Sequence, residues 1–354
     1  MPQDFRHPMS LFRVPWSIAL VTCALLGVGC GDHLPESVGP NQAIVVLADS
    51  SDWQTLEQPL RDVFEKVLYT PQPEKIFWVR HGDVTYFEQH EHKRRKNLLV
   101  AAPLDAPHPT ARFLRSLLSP DVQSAVRAGT ASISWKDDVW ATEQILLTAT
   151  GKDLEALVEN IRMEADRLYR AVEEARDKRV KQLIYRYGER KELTARLARD
   201  FGWSVRVSFG YRIIEAYPDS GFVVLAKESP NRWLFVYWED GIPPDRVTEE
   251  WCIQKRDEIT RRFFDGDRIV AENVDVSQSE FSGKLAVSLQ GMWENEANWT
   301  GGPFKSYAFV DVDLNRFFFV DVGVFAPNKK KEPYLRQVDL MAHTFTAKDA
   351  VPVP

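Results

Sequence analysis

Cysteine is scarce in this chain: three occur in 354 residues, at positions 23, 30 and 252. Cys23 and Cys30 belong to the apolar N-terminal stretch, so a chain processed ahead of a lipid-bearing Cys30 has no pair left for an internal disulfide. Cys252, between Trp251 and Ile253 in a helical pattern, reads as a buried apolar filler rather than a nucleophile. There is no Gly-x-Ser-x-Gly elbow and no His-Glu-x-x-His helix, so the usual signs of a serine hydrolase and of a zinc peptidase are missing. A glycine-rich phosphate cradle is missing too. Gly301-Gly302-Pro303 comes nearest, but Pro303 has no N–H to donate and no helix opens there. Basic charge is not in excess either, with 45 Lys and Arg against 51 Asp and Glu and a net charge of −6. Removing residues 1–29 takes away Arg6, Arg13 and Asp4 and leaves the balance acidic. That argues against nucleic acid or anionic lipid as the main partner.

What is present begins with the leader. Arg6 and Arg13 lead into an apolar stretch over residues 14–28 that closes with Leu26-Gly27-Val28-Gly29-Cys30. The stretch is short for a membrane span and suits the core of a signal peptide. Residues 1–29 are therefore expected to be a lipoprotein signal peptide, with Met9 an alternative start. Cys30 is the expected site of lipidation by palmitate-type acyl chains. Gly27 stands where a branched apolar residue is commoner, so ordinary signal cleavage and an uncleaved anchor remain as alternatives. Residues 30–41 read as a tether between membrane and domain. Close to Cys30 only Asp32 is acidic. This favours an outer-membrane lipoprotein facing the periplasm over one displayed on the surface.

Beyond the tether, the pattern predicts an α+β fold of mixed, largely antiparallel sheets packed by helices. Residues 42–187 form an N-terminal half and 188–354 a C-terminal half, which could be one domain. Strands are expected at 43–48, 75–79, 97–102 and 144–148, and a helix after Asp49-Ser50-Ser51-Asp52 that Pro59 would disturb. Leu154, Val158, Ile161, Ala165, Leu168, Val172 and Ala175 recur at steps of four and three. They predict one long helix over residues 152–184, roughly 50 Å if unbroken. Its stripe is expected to lie on the chain's own sheet, with a coiled-coil contact as the alternative. The second half predicts strands at 205–209, 221–225, 233–238, 285–293, 306–312 and 317–325, and helices at 247–264 and 331–345.

Several groupings could carry chemistry. His90-Glu91-His92 lacks a third ligand at a known spacing and adjoins Lys93-Arg94-Arg95-Lys96, so it predicts a charged surface and not a metal site. His33, His81, His108 and His343 fall in unrelated contexts. Asp311-Val312-Asp313-Leu314-Asn315 opens like a calcium loop, but Arg316 replaces the required glycine and Val322 the closing glutamate. No metal, no cofactor and no catalytic residue is expected. The most concentrated segment runs from Gly291 to Phe304, where Trp293 and Trp299 flank Glu294, Glu296 and the amides Asn295 and Asn298. Such a set could stack on and hydrogen-bond a sugar. Glu294 and Glu296, two apart on a strand and about 7 Å between α-carbons, could act as an acid/base pair.

Short motifs recur together in one lipoprotein family: Leu34-Pro35-Glu36-Ser37-Val38-Gly39, Pro71-Gln72-Pro73-Glu74, Arg95-Lys96-Asn97-Leu98-Leu99, Lys255-Arg256-Asp257 and Gly301-Gly302-Pro303-Phe304. On these the chain resembles domain-of-unknown-function family 4837, lipoproteins chiefly of Bacteroidetes-type bacteria. The resemblance covers nearly all of the processed chain and implies an envelope address, with no activity or catalytic residue to carry over. The expectation is a lipid-anchored envelope protein with a non-enzymatic binding or structural role, meeting an envelope protein or a glycan. The alternative is a carbohydrate- or peptidoglycan-directed binding protein or hydrolase using Trp293, Glu294, Glu296 and Trp299.

Overall fold

The computed structural model describes residues 34–87 and 91–347; the leader and Cys30 lie outside them. Two sheets organise the chain. The first has five strands in the order Trp78–Gly82, Ala43–Leu47, Asn97–Pro103, Ile145–Gly151, Ile133–Asp137, the first four parallel and the last antiparallel. The second has seven, all antiparallel: Arg268–Phe281, Lys284–Asn295, Thr300–Asp311, Arg316–Phe325, Asn231–Asp240, Phe222–Lys227 and Arg212–Tyr217. The fold is thus α+β and mostly antiparallel, with the parallel pairs confined to the first half. The apolar runs Ala43–Leu47 and Asn97–Pro103 suit that setting, because a strand covered on both faces has no polar side to show.

Helices cover both faces of each sheet. Ser50–Phe64 and Leu154–Met163 pack on one face of the first through Leu56, Leu60, Leu157 and Ile161, and Pro109–Leu117 packs on the other through Ala111 and Leu114. On the second sheet Lys191–Phe201 and Glu332–Ala342 take one face, and Glu249–Phe263 takes the other through Cys252 and Ile259. Asp49 starts the first helix by accepting from the Ser51 N–H at 3.0 Å, and the helix runs through Pro59 without a break.

The single helix expected over 152–184 is two, Leu154–Met163 and Ala165–Tyr185, parted at Glu164 (φ −97°, ψ 13°). The apolar stripe survives the break. Val158, Ile161, Leu168 and Val172 all enter the core of the first half, so the chain's own sheet covers them. The second helix has two neighbours: Leu168 and Val172 face that core, while its next turns reach the helix Glu332–Ala342. Arg176 meets Glu332 at 2.6 Å with both side chains buried, and Arg336 meets Glu173 at 2.7 Å and Asp177 at 3.1 Å. Glu74 adds a cap from the first half, accepting from the Lys331 and Glu332 N–H groups at 2.8 and 3.1 Å. A carboxylate at a helix N-terminus is favoured by the exposed amides and by the dipole.

Other departures have local causes. Residues 205–209 are not a sheet strand. Their backbone is satisfied elsewhere, by Thr344 Oγ1 for Arg206 N, Thr194 Oγ1 for Val207 N and Gly188 O for Phe209 N. The span 75–79 divides into Pro73–Lys75, paired with Val67–Tyr69, and Trp78–Gly82 in the first sheet. The edge strands Ile133–Asp137, Arg212–Tyr217 and Arg268–Phe281 carry no prediction above, because their few core-facing apolar residues, such as Ile133, Ile213, Ile269 and Val276, are interleaved with exposed ones.

Candidate functional site

One face of the second sheet carries an open cleft of about 430 Å³ where the Glu249–Phe263 helix ends. Its apolar wall is aromatic, with Trp233, Phe263, Phe264, Trp293 and Phe325. The Trp233 and Trp293 rings meet edge to face at 5.2 Å, Trp233 and Phe264 lie 5.9 Å apart, and Trp293 and Phe325 lie 6.3 Å apart. Two glycines let these rings lie against the sheet. A Cβ on Gly323 would come within 2.2 Å of the Trp233 ring, and one on Gly302 within 3.2 Å of Trp293 Nε1 and 2.0 Å of the Val324 carbonyl.

The polar side of the cleft is stapled by one amide. Strand alternation turns Trp293 and Asn295 inward and Glu294 outward. Asn295 Nδ2 donates to Asp267 Oδ1 at 2.8 Å, and Asn295 Oδ1 accepts from the Asn298 N–H at 3.0 Å. This joins the turn after the helix, where Asp265 and Gly266 have φ of 51° and 92°, to the hairpin turn over 296–299. Burial pushes the Asp267 carboxyl above the usual carboxylate range, against the pull of Asn295 and the Arg256 charge. Asp265, Asn298, Thr300, Asn231 and Glu215 complete the polar lining. An aromatic wall facing amides and carboxylates can stack an apolar ring face while bonding hydroxyl groups at its edge.

The four residues of the expected site separate. Trp293 is buried in the cleft wall, whereas Trp299 is 94% exposed, between the lining residues Asn298 and Thr300. Glu294 and Glu296 meet on the guanidinium of Arg268, the former at 2.9 Å. The amides noted beside them, Asn295 and Asn298, do line the cleft. Trp233, Phe264 and Asp267 come from distant segments, and no local pattern announces them.

At the carboxyl ends of the parallel strands two of the unrelated histidines do meet a common cluster. His108 Nε2 lies 2.9 Å from Asp52 Oδ2, and His81 stacks on Trp53 at 4.7 Å. His108 Nδ1 accepts from the Ala111 N–H at 3.2 Å and so caps a helix. Glu91–Arg94 form a short 3-10 turn, and His90 lies outside the described residues. The turn after Asp311 is closed by its own carboxylate, which accepts from the Asp313 N–H at 3.2 Å while Lys284 approaches at the same distance. Among the described residues no group of three or more His, Cys, Asp or Glu could hold a metal ion. Among them, too, no helix is long and apolar enough to cross a membrane.

Two models of domains of unknown function match the chain. Residues 190–344 match the family model described as "Domain of unknown function (DUF4837)". Residues 37–185 match a second model, "Domain of unknown function (DUF8532)", so the resemblance divides between two families near the start of the Lys191–Phe201 helix. No curated protein matches. Among solved structures, one from Bacteroides thetaiotaomicron is 10% identical, covers 43% of this chain and 48% of its own, and gives a TM-score of 0.28. The Saccharomyces cerevisiae Ran-binding protein Mog1p is 10% identical over 41% of this chain and 90% of its own, with a TM-score of 0.30. LpqN of Mycobacterium tuberculosis, described as involved in cell envelope biogenesis, is 11% identical over 41% and 83%, with a TM-score of 0.28. This chain therefore spans about half the length of the Bacteroides structure.

Proposed function

We propose that this is a lipid-anchored cell-envelope protein, held at Cys30 on the periplasmic side of the outer membrane, that binds a glycan or muropeptide without turning it over. The observation that carries the binding reading is the cleft itself: Trp233, Phe264 and Trp293 facing Asn295, Asn298 and Asp267 in about 430 Å³. That volume suits a ligand of a few sugar rings. Glu294 and Glu296 support binding over hydrolysis, because Arg268 engages both outside the cleft lining. A hydrolytic reading draws instead on Asp267, whose raised carboxyl could donate a proton. The purified chain offered a panel of glycans and muropeptides separates the two. Saturable binding with no product supports the proposal; product formation lost in Asp267→Asn favours hydrolysis. The anchor is tested by Cys30→Ala, which releases the protein from the membrane fraction if Cys30 is acylated.

A further inference from the structure

The face that carries the N-terminal segment departs from the acidic average of the chain. Residues 35–38 are tied down there: Thr142 N donates to Pro35 O at 2.9 Å, Val38 N to Arg94 O at 2.7 Å, and Lys96 N to Val38 O at 3.3 Å. Beside this segment lies a cleft of about 240 Å³ lined by Arg80, Arg95 and Lys96, with no Asp or Glu in its lining among the described residues. The Arg95 guanidinium lies over Gly39, and its Nε is buried without a hydrogen-bond partner. Burial, and after it the charge of Arg179, holds the Lys96 amine below the usual lysine range. Lys96 also borders a neighbouring cleft of about 500 Å³, where Glu36 and Glu143 accompany Arg179 and Arg186. Net charge averages over the molecule, so an acidic chain can still present a local cationic site.

Location adds the second argument. Four residue steps separate Cys30 from Leu34, at most about 14 Å of extended chain. A lipid on Cys30 would keep this cleft within reach of the headgroups. Glu36 and Glu143 act on Lys96 from its other side, but the described lining of this cleft carries arginine and lysine without a carboxylate, and such a set suits a phosphate oxygen, which accepts the guanidinium fork and the ammonium together. We propose that the Arg80, Arg95 and Lys96 cleft binds the phosphate of an anionic lipid headgroup in the membrane that holds the anchor. The location rests on the anchor reading above, whereas the chemistry of the cleft does not.

The test uses full-length Cys30→Ser protein, which cannot be acylated. It is floated with vesicles of phosphatidylglycerol mixed with phosphatidylcholine and with phosphatidylcholine alone. The leader, with Arg6 and Arg13, is common to every variant, so its own pull on either vesicle cancels when the variants are compared. We expect stronger binding to the anionic vesicles, reduced about fivefold by Lys96→Gln and about as much again by Arg80→Gln, and weakened by salt. Lys152→Gln should leave the ratio unchanged, and melting curves should show every variant folded. Equal binding to both vesicles, or a ratio unaltered in folded Lys96→Gln and Arg80→Gln, overturns the proposal. A melting-temperature rise with inorganic phosphate but no preference for anionic vesicles overturns the lipid source and leaves free phosphate as the ligand. Fractionation of cells carrying native Cys30 reads the anchor separately, so a soluble chain that still prefers anionic vesicles rejects the anchor alone.

Discussion

At the residue scale, Trp299 and Asn295 stand three and one positions from Glu296 and do opposite jobs. Trp299 is 94% exposed, so nothing in the fold depends on its ring. Trp299→Ala should leave the melting temperature unchanged while lowering affinity for a ring-bearing ligand. Calorimetry alongside thermal melting reads both. Asn295 is buried and bonds the turn on each side, so Asn295→Ala should cost about 1–3 kcal/mol through the unpaired Asp267. Cys252 offers a simpler check. Burial pushes its thiol up to about 12, so it should resist thiol reagents in the native protein and react once denaturant unfolds it. Asp339 bears on pH. Burial alone would raise its carboxyl, but Lys305, His343 and Tyr307 outweigh this and hold it below the usual range. A depressed carboxylate contributes stability above its unfolded value, about 3.9, and loses that contribution as pH falls through the folded value. Asp339→Asn should therefore weaken the fold at neutral pH and flatten the acid limb of its stability curve.

At the element scale, the stripe Val158, Ile161, Leu168 and Val172 was legible because burial imposes a helical period wherever a helix lies on a sheet. Its division at Glu164 was not legible. No proline or glycine marks the break, and the Glu332–Ala342 helix that the second piece meets lies far along the chain. Leu168→Asp should abolish folding, since the residue sits in the first core. A mutant that melts like the native chain would sink the intramolecular account. Strands buried on both faces, such as Asn97–Pro103, were readable from continuous apolar runs. Edge strands such as Arg268–Phe281 were hidden, because a half-solvated edge mixes polar with apolar positions. The candidate site was legible in part. Trp293, Asn295 and Asn298 share one segment, but the wall they face is supplied by strand order and by the end of a helix. Such juxtapositions have no local signature.

At the scale of the whole molecule, two halves that match two families are joined by buried ion pairs and a capping carboxylate. Arg176 and Glu332 are both nearly inaccessible, so removing one partner strands a charge. Glu332→Ala should cost about 3–5 kcal/mol, and Arg176→Met with Glu332→Leu should recover much of that loss; denaturant unfolding of the single and double variants measures it. The joint also fixes where the two clefts lie, the cationic one beside the N-terminal segment in the first half and the aromatic one on the second sheet. An anchored protein could then meet headgroups with one half and reach a glycan with the other. The most direct measurement is titration of the native chain and of Asn298→Ala with soluble muropeptides and glycans, followed by calorimetry and by analysis of the recovered ligand. The account predicts saturable binding, a loss of about fivefold in the variant for one missing hydrogen bond, and ligand recovered intact. Absence of binding across the panel by folded protein, or binding that Asn298→Ala and Trp299→Ala both leave untouched, would contradict it.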